Sequence, residues 1–418
     1  MRRWVGCGLL WAAGALASAQ APVDSEEILD RIKARMKENL TRLPDYVCLQ
    51  TVERQRRRDS DNTFERLDTL RLEVTLLGNR ELFAWRGASR FEEKELGEMV
   101  GSGALGTGTF SARARNVFLT GAPEYTSRGE VSLDGRRAVR FDYEVPGEKS
   151  SYRLRISNHQ AVVGFRGSFW VDAETLDLMR LEVEAVDIPE GLGLAASRDV
   201  LDYARVPIGG ADFLLPRSSE LTLTGSRGNV SRNRTEFSGC RQYVGQANLR
   251  FEESGEPTPT AVKPAGKIEL AARLVMEMTL DTEIAPETAA AGDPIQALLA
   301  APLTQEDRIL APKGAVVTGR LVRVEKNALP FAHYVVALEF DTLQTAAGPT
   351  SFTATMESAG PAAGLLRQEK RLNPTFTRRR SPRMDILVRE HPRGQGVLHW
   401  EAKQPRIRRG LRMKWETE

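Results

Sequence analysis

From Tyr46 onward the chain alternates apolar and polar residues with a period of two. Leu70, Leu72, Val74 and Leu76 are separated by Arg71, Glu73 and Thr75, the pattern of a strand with one buried face. The same period recurs in pairs of runs joined by turn residues. Residues 131–133 lead through Asp134-Gly135 to 138–143, 167–171 lead through 172–177 to 178–183, and 201–206 lead through Gly209-Gly210 to 213–215. Short strands joined by Asp-Gly and Gly-Gly turns predict an antiparallel meander. Near the mature start the period is helical instead. Ile28, Leu29, Ile32, Met36 and Leu40 form one apolar stripe, Asp24 or Ser25 caps it, and Pro44 ends it. That stripe reads as a face docked on the sheet. Residues 92–99 read as a second helix, followed by a glycine-rich loop over the sheet.

A break in pattern falls at 252–267, Glu-Glu-Ser-Gly-Glu-Pro-Thr-Pro-Thr-Ala-Val-Lys-Pro-Ala-Gly-Lys, a linker by composition. Strand patterns resume at 276–282, 316–324 and 334–340. An irregular basic stretch spans 361–392, and 397–400 and 411–415 read as two closing strands. The chain is therefore expected to be mainly β with few helices. Its expected units are a signal peptide at 1–19, a first domain at 20–251, a linker at 252–267 and a second domain at 268–418.

The signal is read from Arg2 and Arg3, an apolar run over 4–16, and the cleavage site Ala17-Ser18-Ala19. The run is too short to span a bilayer comfortably, and Cys7 lies too early for a lipoprotein cleavage site. Export leaves two cysteines, Cys48 and Cys240. A lone pair in an exported chain reads as a disulfide, with two buried thiols as the alternative. The bridge predicts that the first and last strands of the first domain are neighbours.

Charge sharpens the division. Residues 367–418 carry a net +9, the signal +2, and 20–366 about −8, within an overall +3. Arg378-Arg379-Arg380 and Arg406-Ile407-Arg408-Arg409 would suit nucleic acid in another compartment. In an exported chain they suit an anionic envelope surface, or remain solvated charge.

Catalytic signatures are weak. Gly101-Ser102-Gly103-Ala104-Leu105-Gly106 fits G-x-G-x-x-G but follows a helix pattern, where a nucleotide loop follows a strand. His159, His333, His391 and His399 lack zinc-ligand spacing. No G-x-S-x-G or S-x-x-K is present. Asp172, Glu174 and Asp177 surround one turn without the EF-hand pattern, and Asp172 reads as a turn former. No catalytic residue, metal site or cofactor is expected.

Residues 164–182, Gly-Phe-Arg-Gly-Ser-Phe-Trp-Val-Asp-Ala-Glu-Thr-Leu-Asp-Leu-Met-Arg-Leu-Glu, resemble the G-x-x-W-V-D-x-x-T hairpin of periplasmic lipoprotein carriers of the LolA/LolB type. Phe213-Leu214-Leu215-Pro216 resembles their later f-P hairpin. The resemblance covers about 130 residues. It implies a curved antiparallel half-barrel with helices in its hollow, used in that family to hold acyl chains. Residues 291–295 and 309–319 resemble the I-P-x-G-x-x-v-x-G core of TrbI-like barrels, which implies a small β-barrel for the second domain. The two-domain arrangement also looks like that of exported proteins of Acidobacteria. Together these readings point to a non-catalytic envelope protein, in the periplasm or at the outer membrane, that binds a hydrophobic ligand, lipid or lipoprotein. Trp85, Phe141, Phe169 and Leu181 are the candidate lining residues. An assembly component acting through protein contacts is the alternative, with residues 367–418 as its contact.

Overall fold

The computed structural model describes residues 25–366 and 392–418, apart from 78–79, 88–90, 92–95, 101–103, 107, 109, 157–158, 244–269, 307 and 328–330. The expected signal peptide, the linker and residues 367–391 of the basic segment lie outside the described residues. Helix α1 (Ser25–Thr41) opens the described chain. Strands β1 (Tyr46–Arg57), β2 (Glu65–Leu77) and β3 (Arg80–Trp85) follow, then the short helices α2 (Leu96–Met99) and α3 (Ala112–Phe118). Next come β4 (Glu124–Leu133), β5 (Arg136–Val145), a small hairpin of β6 (Arg153–Ile156) and β7 (His159–Val162), β8 (Gly164–Asp172) and β9 (Leu178–Val186). Three long strands complete the first unit: β10 (Leu194–Ile208), β11 (Ala211–Gly225) and β12 (Val230–Gln242).

Ten of these strands form one curled antiparallel sheet, in the order β3-β2-β1-β12-β11-β10-β9-β8-β5-β4. The expected turns close its hairpins. Asp134 and Gly135 take φ of 50° and 79°, and Gly209 and Gly210 take 59° and 87°, as a two-residue turn matched to strand twist requires. At the turn after β8, Asp172 Oδ1 accepts the backbone N–H groups of Glu174 and Thr175, both at 3.0 Å.

Every neighbouring pair in this sheet is close in sequence except β1 and β12. There the two ends of the meander meet, and Cys48 and Cys240 form a disulfide across the seam. The register slips beside it, between Val47 and Leu49. Gly239 at φ 56° supplies the left-handed residue that such a bulge favours.

The alternation decides which face is buried. Leu70, Leu72 and Val74 in β2 are buried, as are Phe141, Phe169, Leu181 and Leu201 across β5, β8, β9 and β10. Ile32, Met36 and Leu40 of α1 pack into one cluster with Phe141, Phe169, Leu181 and Leu201. The opposite face carries cross-strand ion pairs such as Arg180–Asp202 at 2.7 Å and Arg234–Glu220 at 2.9 Å, a solvated exterior.

The second unit comprises β13 (Val275–Leu280), β14 (Pro294–Leu299), a hairpin of β15 (Leu303–Gln305) and β16 (Arg308–Ala311), β17 (Val316–Asn327), β18 (His333–Thr345), β19 (Gly348–Ser351), β20 (Ala354–Ala359), β21 (Gly396–Glu401) and β22 (Arg412–Thr417). Seven strands run in the order β19-β18-β17-β14-β13-β22-β20, and β21 adds to β18. Their core is built around Trp400, Trp415 and Phe340. The two expected closing strands are β21 and β22.

A turn before β14 joins the units. Ala291 donates its N–H to Thr69 O at 2.9 Å and accepts from Arg71 N at 2.7 Å, while Gly292 N reaches Leu321 O at 2.7 Å. Arg71 Nη1 holds both carboxylate oxygens of Asp293, at 2.5 and 2.6 Å. Gly292 has φ 98°, and a Cβ there would stand 2.0 Å from Arg71 O. Gly292→Ala is therefore expected to cost about 2 kcal/mol or more through strain and lost junction bonds. Urea unfolding, with limited proteolysis between the units, measures it.

Candidate functional site

The candidate site is the concave face of the ten-stranded sheet, roofed by α1, α2, the 104–106 segment and α3. Its apolar end is a row across three strands, where Phe141 faces Phe169 and Phe169 faces Leu181. The Phe141 and Phe169 rings stack at 5.4 Å, and Phe118 of α3 meets Phe169 edge-on at 4.9 Å. Three of the four expected lining residues thus share one row, buried beneath α3. Trp85 lies apart on β3. It pairs with Leu72 in the ladder, and its ring edge would lie 3.2 Å from a Cβ at Gly292. It sits half-buried at the junction with the second unit.

Between these ends the face is polar. The alternation that buries Leu201 also turns Asp199 and Ser197 inward, both with 0% exposure. In β1 it turns Gln50 and Arg54 inward. Arg54 forms a buried pair with Asp68, Nε to Oδ1 at 2.6 Å with a second bond from Nη2. Arg113 of α3 stands opposite Asp199 at 3.6 Å, beyond hydrogen-bond reach. It lies over the Tyr152 ring at 3.9 Å, and Tyr152 hydroxyl pairs with Ser197 Oγ at 2.9 Å. Arg113 Nε, both Asp199 oxygens, Gln50 Oε1 and the hydroxyls of Tyr46 and Tyr203 are buried and find no hydrogen-bond partner among the described residues.

The roof is held by a few polar contacts. Glu81 of β3 accepts the N–H groups of Gly108 at 2.7 Å and Ser111 at 3.0 Å. It thereby supplies the N-terminal acceptor of α3 that Ser111 does not provide. Arg115 donates to Leu40 O at the end of α1, at 3.0 Å. Asn233 donates to Ala104 O at 2.9 Å, which lays the described part of the glycine-rich loop on the sheet. Phe110 inserts between Tyr46 and Phe237, with centroids 5.0 and 5.5 Å away.

Burial pushes the Asp199 carboxyl above its ordinary range, against the pull of Arg113. Burial likewise raises Glu81, against the backbone donors of Gly108 and Ser111. Burial also raises Tyr46, Tyr143 and Tyr203, which stay neutral hydroxyls. For Arg113 burial acts downward, and Tyr152, Asp199 and Glu81 reverse it to a net rise.

These shifts have a sign. A carboxyl raised in the fold binds more protons there than in the unfolded chain, so its contribution is most favourable below the unfolded pKa. That contribution declines as pH climbs through the folded pKa. Asp142 and Asp172 lie below their ordinary range although burial opposes it, because hydrogen-bonding and charged partners prevail. They act in the opposite sense. Comparison with Asp199→Asn isolates the buried carboxyl. As pH rises above the ordinary carboxyl value of about 4, wild-type urea stability is expected to fall relative to this variant. A constant difference contradicts the assignment.

Glu81, Arg113 and Asp199 were not singled out in the sequence. The available signal was parity, because Asp199 occupies a core-facing position two residues before Leu201. Among the described residues no group of side chains is arranged to hold a metal ion, and no helix is long and apolar enough to cross a membrane.

No family model and no curated protein matches the chain. Solved structures similar to about half of it include three from different bacteria. One is a LolA superfamily protein from Nitrosomonas europaea, 12% identical, covering 51% of this chain and 93% of its own, at a TM-score of 0.29. A DUF1329 family protein from Desulfovibrio piger is 13% identical over 54% of this chain and 96% of its own, at 0.29. A putative outer membrane lipoprotein-sorting protein domain from Vibrio parahaemolyticus is 12% identical over 53% and 93%, also at 0.29. Scores this low leave the functional reading to the residues of this chain.

Proposed function

We propose that this chain is an exported, non-catalytic protein of the cell envelope that carries a lipid, or the acyl part of a lipoprotein, between its ten-stranded sheet and α1–α3. The observation that carries this reading is the set of buried polar atoms on the concave face without hydrogen-bond partners among the described residues, Arg113 and Asp199 meeting only as an ion pair at 3.6 Å. Buried polar groups are ordinarily satisfied by protein, water or ligand. Here they lie beside an aromatic row and beneath a roof held by few polar contacts. An amphiphile supports both features at once. Its polar part reaches Arg113, Asp199 and Tyr203, and its chain replaces Phe118 over Phe141, Phe169 and Leu181 when α3 lifts.

Titration with 11-(dansylamino)undecanoic acid tests this. A saturable fluorescence rise is expected, with affinity increased roughly tenfold in Phe118→Ala, where the roof no longer competes for the row. Absence of saturable binding, or binding indifferent to Phe118, overturns the proposal.

A further inference from the structure

A second concavity lies in the other unit, away from the hollow. Its volume is about 570 Å³, and it opens between the turns at 361–364 and 404–411. Trp400, Pro361, Pro405 and Leu411 form its apolar walls, and Arg406, Arg408 and Arg409 line it with positive charge. Among the described lining residues there is no carboxylate.

The frame is pinned on all sides. Trp400 Nε1 donates to Gln404 O at 2.6 Å. Ile407 and Ile284 exchange backbone bonds at 2.8 and 2.9 Å, Gly410 N reaches Leu280 O at 2.8 Å, and Glu401 N reaches Gly364 O at 2.8 Å. Gly364 lies so close to the indole that a Cβ would stand 2.7 Å from Trp400 Nε1. The arginines therefore project from a rigid turn, which lowers the cost of ordering them on a ligand.

Charge sets the class of ligand. Arg406 is shared with Glu283 at 2.9 Å. Arg408 and Arg409 are exposed and carry no ion pair among the described residues. Three guanidinium groups against one carboxylate leave a surplus of two positive charges. A phosphomonoester carries about −1.5 to −2 near neutral pH, and planar guanidinium forks match its oxygens. The volume falls in the range of small-molecule sites. We propose that this pocket binds a phosphomonoester whose ring or short apolar substituent packs on Pro361 and Pro405.

The test uses the full exported chain and phenyl phosphate, followed by calorimetry, with the doubly substituted Arg408→Ala/Arg409→Ala variant beside it. Both arginines are exposed, so an unchanged urea midpoint shows that the variant folds. Saturable binding that weakens at least about tenfold in the variant is expected. Competition by inorganic phosphate, without retention on vesicles of phosphatidylcholine and phosphatidic acid, identifies a soluble phosphate as the source. Retention on those vesicles, lost in the variant and absent with phosphatidylglycerol in place of phosphatidic acid, identifies a lipid headgroup. No saturable binding, equal affinity in wild type and variant, or equal retention on both anionic lipids overturns the proposal.

Discussion

Replacing Cys48 and Cys240 together with alanine is expected to lower the stability of the ten-stranded unit by about 2–5 kcal/mol. The bridge spans 192 residues, and the loop-closure entropy of so long a segment is worth about 5 kcal/mol at most. Its position makes the effect large. Every other ladder in the sheet joins strands close along the chain, the widest gap being the small hairpin between β5 and β8, whereas β1 and β12 must find each other from opposite ends. Cys48 is also buried beside Tyr46, Leu72 and Phe237, so loosening the seam exposes the concave face of the sheet. Urea unfolding of oxidised, reduced and substituted protein measures the effect. Matching midpoints for the reduced and substituted forms, both below the oxidised form, are expected. Coincidence of all three removes the bridge as a staple.

Phe169→Ala is expected to cost about 3–5 kcal/mol. The side chain has 0% exposure. The rings of Phe118, Phe141, Tyr125 and Tyr143 lie between 4.9 and 6.4 Å from it. Truncation leaves a cavity lined by these rings and by α3, and dispersion contacts are lost on every side. The carrier reading adds a second consequence. An acyl chain that enters the cavity binds the native state alone and restores part of the loss through mass action. Thermal unfolding with and without 11-(dansylamino)undecanoic acid shows whether the variant gains more from the ligand than wild type does.

The strands were legible because one face of each is buried. Leu70, Leu72 and Val74 announce β2, and Asp134-Gly135 and Gly209-Gly210 announce turns whose φ angles are positive as required. Helix α1 was legible from Ile32, Met36 and Leu40, and the cysteine pair from its being the one pair left by the export pattern expected over 1–19. Helix α3 was not. Seven residues, Ala-Arg-Ala-Arg-Asn-Val-Phe, are too few to show a helical period, and the acceptor at its start comes from Glu81, 27 and 30 residues earlier than the amides it binds. The junction was equally hidden. Residues 291–295 drew notice only through a resemblance, while the role of Gly292 depends on Arg71, a contact no local pattern reveals. Trp85 was expected to line the hollow with Phe141, Phe169 and Leu181, and register places it on the same sheet face as those three but beside the second unit.

The central claim is that α3 roofs a ligand-holding hollow. Hydrogen exchange across residues 96–118, with and without saturating 11-(dansylamino)undecanoic acid, tests it most directly. The account predicts that the ligand changes exchange at 110–118 and at the facing strands β5, β8, β9 and β10, while β13–β22 stay unchanged. Identical exchange in 96–118 with ligand bound, or changes confined to the second unit, would contradict it.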